Sequence, residues 1–293
     1  MTLALITGRG RLPAEVAAAQ EVAPLVCAYE GMLPDVLGVD LTFRLETLGT
    51  LLVALGERGV TQVCFCGAID RPDLDPARLD SETLPLVPLF QKALAAGDNG
   101  ALQVLKEIFE QTGFEVVGAD TLLPDLVAEQ GMLSEAWPDA QMRRDAARGE
   151  AVLAGLAPLD IGQACVIGAE QVLGVETMGG TDHLLATLPE KAAGMRAILC
   201  KGPKTGQIRE IDLPTIGPAT IEAAHQAGLA GVVVDEGDVI ILDAARCTEL
   251  ADQYGLVLWA RRGGRREDLH PCRRTLGGQA GRGVDGRVES AAH

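Results

Sequence analysis

Short aliphatic runs, each cut off by glycine or proline and followed by a stretch with helical spacing, recur along this chain and restrict it to one broad class of fold. Residues 3–7, LALIT, run into Gly8-Arg9-Gly10-Arg11-Leu12-Pro13 and then PAEVAAA. An apolar run this short is a buried strand rather than a helix, and a strand followed by a turn and a helix is the repeating unit of an α/β protein. The unit returns as LVCAY at 25–29, followed by helical spacing over 45–59, and again as QVCFC at 62–66. Further helices are expected over 86–96 and 101–111, divided by Gly97-Asp98-Asn99-Gly100 and leading to a strand FEVVGA. A core of Ala, Val, Leu and Ile follows from 47% hydrophobic but only 3% aromatic residues.

Between Glu129 and Pro138 the strand-helix period lapses, which divides the chain into an α/β domain over 1–130 and a second over 131–262. The second opens with a helix near 140–156. It continues with GQACVIGAEQVLGV as two strands joined at Gly168, then Glu176, a Gly-Gly turn and a helix capped by Thr181 or Asp182. Residues 263–293 are rich in Gly and Arg and poor in apolar side chains, so disorder is expected there.

Charge narrows the function. The chain carries −16 overall, but eight arginines against four acidic residues in 261–293 leave 17 basic and 37 acidic groups, or −20, in 1–260. Such a body repels nucleic acid, and an anionic ligand requires a local cationic pocket. Seven scattered cysteines with no C-x-x-C pair read as reduced core residues. No apolar stretch reaches membrane-spanning length and the first run is too short for a signal peptide, so a cytoplasmic protein is expected.

Three stretches carry candidate chemistry. Gly8 and Gly10 between strand and helix suit a phosphate approached by backbone amides, and serve equally as a tight turn. Gly67 and Arg71 follow what reads as an interior parallel strand, on the edge where open α/β sheets bind ligands. The densest stretch is 197–221, AILCKGPKTGQIREIDLPTIGPATI. Ile198 and Leu199 end a strand that delivers Lys201 into a loop. Residues 208–212 alternate as a second strand would, and Asp212 and Thr215 precede a helix with Pro218 at its start and Gly228 at its end. Lys201, Lys204 and Arg209 beside a helix start and an isolated carboxylate are what a metal-assisted phosphoryl site requires, and a solvated loop is the plainer alternative. Glu176 and Asp182 occupy comparable strand-to-helix junctions. His183 and His225 have no partner at ligand spacing.

Five motifs then stand in order: LITGRGRLP at the N-terminus, CFCGAIDRPDL at 64–74, LDIGQ at 159–163, GVETMGGTD at 174–182, and KGPKTGQIREIDLPTIG at 201–217. Together they resemble the LpxI-type UDP-2,3-diacylglucosamine pyrophosphatase family, over residues 1 to about 260. The resemblance implies a Rossmann-like N-terminal domain, a distinct α/β catalytic domain and a substrate chamber between them. It also implies magnesium- or manganese-assisted hydrolysis of UDP-2,3-diacylglucosamine to 2,3-diacylglucosamine 1-phosphate and UMP, in lipid A biosynthesis. Asp212 matches the family's key acidic residue. On this reading Asp212, Glu176 and Asp182 hold the metal, and Lys201, Lys204 and Arg209 stabilise charge. Gly8, Gly10, Gly67, Arg71, Gln163, Thr181, Gln207 and Thr215 line the substrate site. Arg9 stands where the family loop commonly has its middle glycine. Transient contact with the inner membrane, a peripheral location and a homodimer are further expectations. A nucleotide-sugar or dinucleotide enzyme of another reaction type, or a non-catalytic sensor of a phosphorylated lipid, are the rival readings.

Overall fold

The computed structural model describes residues 2–69, 74–94, 97–204 and 207–262. Arg71 and the Gly/Arg-rich stretch 263–293, with Cys272, lie outside the described residues.

The first aliphatic run forms β1 (Thr2–Thr7), buried along almost its whole length. It is followed by α1 (Leu12–Ala18), β2 (Leu25–Tyr29), β3 (Leu41–Phe43), α2 (Leu48–Glu57) and β4 (Val60–Cys66). Then come α3 (Val87–Leu94), α4 (Asp98–Gln111), β5 (Glu115–Val116) and the short α5 (Ala119–Leu122). The strands form one parallel sheet in the order β3-β2-β1-β4-β5. This is the Rossmann-like order, and the strand order reverses between β1 and β4, where open sheets leave a crevice at their carboxyl ends. Two helices flank the stretch 97–100 as expected, but the second starts earlier: Gly97 is the N-cap of α4, which begins at Asp98.

The second half contains β6 (Gly131–Met132), α6 (Ala140–Leu156), β7 (Ala164–Gly168), β8 (Gln171–Val175), α7 (Gly180–Ala186) and α8 (Lys191–Gly194). These are followed by β9 (Ile198–Lys201), β10 (Thr215–Ile216), α9 (Pro218–Gln226), β11 (Gly231–Asp235), β12 (Ile240–Ile241), α10 (Ala244–Tyr254) and β13 (Val257–Arg261). Its six-stranded sheet runs β6-β13-β11-β9-β7-β8 and is mixed: β9, β11 and β13 are parallel, while β6, β7 and β8 each run against a neighbour. Helix α6 covers one face, with Met142 and Ala146 against Cys165, Ile198 and Cys200, and α7, α9 and α10 cover the other. All six described cysteines are buried, as small apolar core residues.

Two local expectations change. The hairpin turns at Ala169 and Glu170, both at positive φ, one residue past Gly168. Residues 208–212 make a turn instead of a strand, with Ile208 O accepting from both Ile211 N (3.0 Å) and Asp212 N (2.9 Å). The alternation misled because Ile208 and Ile211, three apart, are the apolar pair of a helical turn.

The halves meet through the parallel pair β10-β12. Leu213, Ile240 and Leu242 pack with Leu3, Leu5, Cys64 and Cys66 of the first sheet. Among the described residues no helix is long and apolar enough to cross a membrane.

Candidate active site

Backbone bonds stitch the crevice between β1 and β4 beyond the strand ends. Gly8 N donates to Cys66 O (3.0 Å), and Arg9 and Ala68 exchange two bonds of 2.8 Å. The approach is close enough that a Cβ on Gly8 would sit 2.1 Å from Ala68 O, and one on Gly67 2.8 Å from Arg9 O. Both glycines are therefore required by backbone packing, whatever they contact in a ligand.

Across this crevice, residues of the second domain complete a cleft of about 400 Å³. Arg9, Gly10, Arg11 and Gly67 form one wall; Gln163, Glu176, Thr181, Lys201, Asp212 and Thr215 form the other. A continuous hydrogen-bond chain orders the second wall. Lys201 Nζ donates to Thr181 Oγ1 at 2.8 Å, and Thr181 Oγ1 donates in turn to Glu176 Oε2. Glu176 Oε1 accepts from Gln163 N (3.2 Å), and Gln163 Nε2 donates to Asp212 Oδ2 (3.0 Å). Gln207 Nε2 gives the same oxygen a second bond of 2.6 Å. Asp212 Oδ1 accepts no hydrogen bond from the described residues, and two of the three Lys201 N–H donors find no acceptor among them.

Burial acts on both charged ends of this chain. It pushes the Asp212 carboxyl above the usual carboxylate range, against the Gln207 amide, the Lys204 charge, the Gln163 amide and the Lys201 charge. It also pulls the Lys201 ammonium below the usual lysine range, against the fields of Glu176, Asp182 and Asp212. An acid and a base moved toward each other in a cleft are the electrostatic mark of a reactive site.

Beside the cleft lies a second space of about 430 Å³, inside the first domain and walled by aliphatic and aromatic side chains such as Tyr29, Phe43, Phe90, Leu105 and Phe109. The two spaces share Phe65, Cys66, Gly67, Ala68, Ile211 and Asp212. A cleft lined by charged and amide side chains, sharing six residues with an adjoining apolar cavity, suits a ligand with a charged group and a hydrocarbon part.

Residues 2–126 match the LpxI N-terminal domain and residues 129–259 the LpxI C-terminal domain. The chain belongs to the LpxI family. A curated LpxI protein, "UDP-2,3-diacylglucosamine pyrophosphatase LpxI" of Caulobacter vibrioides, is 34% identical over 268 residues, which cover 87% of this chain and 95% of that protein.

Against the expected site of an LpxI protein, the structure gathers Asp212, Lys201, Glu176, Gln163, Thr181 and Gln207, and places Gly10, Gly67 and Thr215 around the same cleft, while Gly8 packs against the Ala68 backbone and does not line it. Two of the expected cations are held by carboxylates: Arg209 lines the cleft and Lys204 does not. Lys204 Nζ binds Asp160 Oδ1, whose Oδ2 accepts from Asn99 N at 3.1 Å. Arg209 binds Asp120 (3.1 Å), Asp238 and Gly237 O (2.6 Å). Both thus brace the loop, and Lys204 reaches Asp212 through its field alone. Asp182 is exposed on the first turn of α7, and among the described residues no three His, Cys, Asp or Glu side chains form a group that could hold a metal. The expected set of Asp212, Glu176 and Asp182 is therefore not assembled as a cage. The N-cap of α7 is Gly179, because the Thr181 hydroxyl is committed to Glu176 and Lys201. Sequence reasoning also missed Asp160 and Ile211, which gave only the signals of a loop aspartate and an isolated apolar residue.

Proposed function

We propose that the chain hydrolyses the pyrophosphate of UDP-2,3-diacylglucosamine, giving 2,3-diacylglucosamine 1-phosphate and UMP in lipid A biosynthesis. Family membership supports this reading, and the observation that carries it is the junction at Asp212. A partly buried carboxylate and a partly buried lysine line a cleft that shares Ile211 and Asp212 with the lining of an apolar cavity. The diphosphate belongs in the cleft and the acyl chains in the cavity.

Hydrolysis adds water across one P–O–P linkage, so the residues must hold the diphosphate and offset the charge that develops on its oxygens. Lys201 supplies two open N–H donors, and Thr181, fixed by Glu176, sets their direction. Gln163 and Gln207 grip Oδ2 of Asp212 and leave Oδ1 facing the reaction. One carboxylate with an open oxygen fits Mg²⁺ or Mn²⁺, since Mg²⁺ is commonly bound by one or two carboxylates together with substrate phosphates. Asp212 would hold such an ion, which supplies Lewis-acid polarisation of the phosphoryl oxygen when bound. Because the substrate is diacylated, the protein meets it at the inner membrane through transient contact.

UMP release from purified substrate tests the reading. Wild type should turn over with Mg²⁺ and lose activity on chelation, and Asp212→Ala should lose on the order of 10²-fold or more in kcat. Near wild-type turnover by Asp212→Ala would remove Asp212 from the mechanism.

A further inference from the structure

The loop between β9 and β10 crosses from the second domain onto the first, and Ile211 is the point where it touches the apolar cavity. Ile211 is contributed by the second domain yet packs into the hydrophobic cluster of the first. It lines both the polar cleft and the apolar cavity, immediately before Asp212. Its neighbours fasten the same strap: Glu210 pairs with Lys106 of α4 (3.0 Å), and Arg209 pairs with Asp120 of α5. A Cβ on Gly118 would lie only 3.3 Å from Glu210 Cα, so the strap rests against first-domain backbone.

Asp212 is thus positioned from two sides. Its carboxylate is gripped by Gln163 and Gln207, while its backbone is tied through the turn at Ile208 to whatever holds Ile211. What holds Ile211 includes the cavity. With the cavity vacant, one side of Ile211 lacks the close partner atoms that fix a side chain in a packed interior; with hydrocarbon in place, those contacts are made.

The geometry points to Ile211 as a positioning residue that makes turnover depend on acyl chains filling the cavity. Hydrocarbon packed against Ile211 presses the strap into register and sets Asp212 Oδ1 against the diphosphate. A UDP-sugar without acyl chains can enter the cleft but leaves Asp212 poorly placed. Selectivity for the lipid form then appears in kcat as well as in KM, because a displacement of about 1 Å in a reacting group costs roughly 10²-fold in rate. This inference rests on the proposed pyrophosphatase activity.

The test compares UMP release from the long-chain diacyl substrate and from a diacetyl analogue, in wild type, Ile211→Ala and Ile211→Val, with melting curves confirming that each variant is folded. Wild type should show a kcat at least about tenfold higher for the long-chain substrate. Ile211→Ala should bring that ratio close to one, chiefly by lowering the long-chain kcat with little change in its KM. Ile211→Val, which keeps most of the contact, should restore most of the ratio. If Ile211→Ala lowers kcat equally for both substrates, or raises only KM, Ile211 does not couple the cavity to Asp212. If wild type turns over neither substrate, the pyrophosphatase reading itself fails and the coupling with it.

Discussion

Replacing Gly8 by alanine separates the structural demand on the glycine loop from its contact with ligand. The added Cβ would stand 2.1 Å from Ala68 O, 2.5 Å from Ala68 C and 2.6 Å from Ile69 Cγ1, where ordinary contact begins at 3.4 Å. The nearest obstacle is backbone, so the Gly8 and Ala68 segments must part by about 1 Å, and the two 2.8 Å bonds between Arg9 and Ala68 cannot both survive. Overpacking costs about 1–3 kcal/mol and each lost bond about 1 kcal/mol, so with one or both bonds lost the total is about 2–5 kcal/mol. For a domain of this size that lowers Tm by about 10 °C. The same movement carries Arg9 and Gly10 away from the opposite wall of the cleft, and kcat/KM should fall roughly 10²-fold. Gly10→Ala is the matched control: Gly10 has a φ of +100° but open space around its Cβ, so its cost is backbone strain of about 1–2 kcal/mol with no hydrogen bond lost. Calorimetry of the two variants beside a UMP-release assay gives the comparison. A Gly8→Ala protein melting within about 2 °C of wild type would refute the close-approach argument.

The remaining expectations concern titration. Asp235, at the end of β11, has its carboxyl raised to about 6 by burial and by Glu150, with Arg261 opposing and Asp238 adding to the rise. A folded-state value above the unfolded one contributes stability at low pH that is lost as pH rises through about 6. Asp235→Asn should therefore stabilise by about 1–3 kcal/mol at pH 8, by roughly half as much at pH 5 and by little at pH 3; urea unfolding curves that keep the wild-type pH dependence would count against this. Lys201 sits below the usual lysine range, so activity should decline on the alkaline side earlier than an ordinary lysine allows. Lys201→Arg keeps its charge and should abolish that alkaline limb even where kcat drops, and an unchanged limb would assign it to another group.

Much of the site was legible because its signals are local. The run at 3–7 and the run at 62–66 are too short and too apolar to be anything but buried strands, and glycine after each places a crevice at their carboxyl ends. The helices α6 and α9 follow from periodicity and end signals, with Pro218 at the start of α9. Lys201 at a strand end and Asp212 beyond it are legible for the same reason. What the sequence did not disclose is that Lys204 and Arg209 are each held by a carboxylate. Asp160 lies 44 positions from Lys204 and Asp120 lies 89 from Arg209, beyond any local pattern.

The amino-acid sequence by itself determined the α/β class, the glycine crevice, the apolar core and the charged loop, since each depends on side chains within a turn or two of one another. Only the tertiary structure decided that residues 208–212 form a turn and that Ile211 reaches the first domain. It also decided which cations were claimed as braces and that the cleft adjoins an apolar cavity. Apart from the turn, which closes within 208–212, those features arise from contacts between chain segments tens of residues apart, which no local spacing encodes.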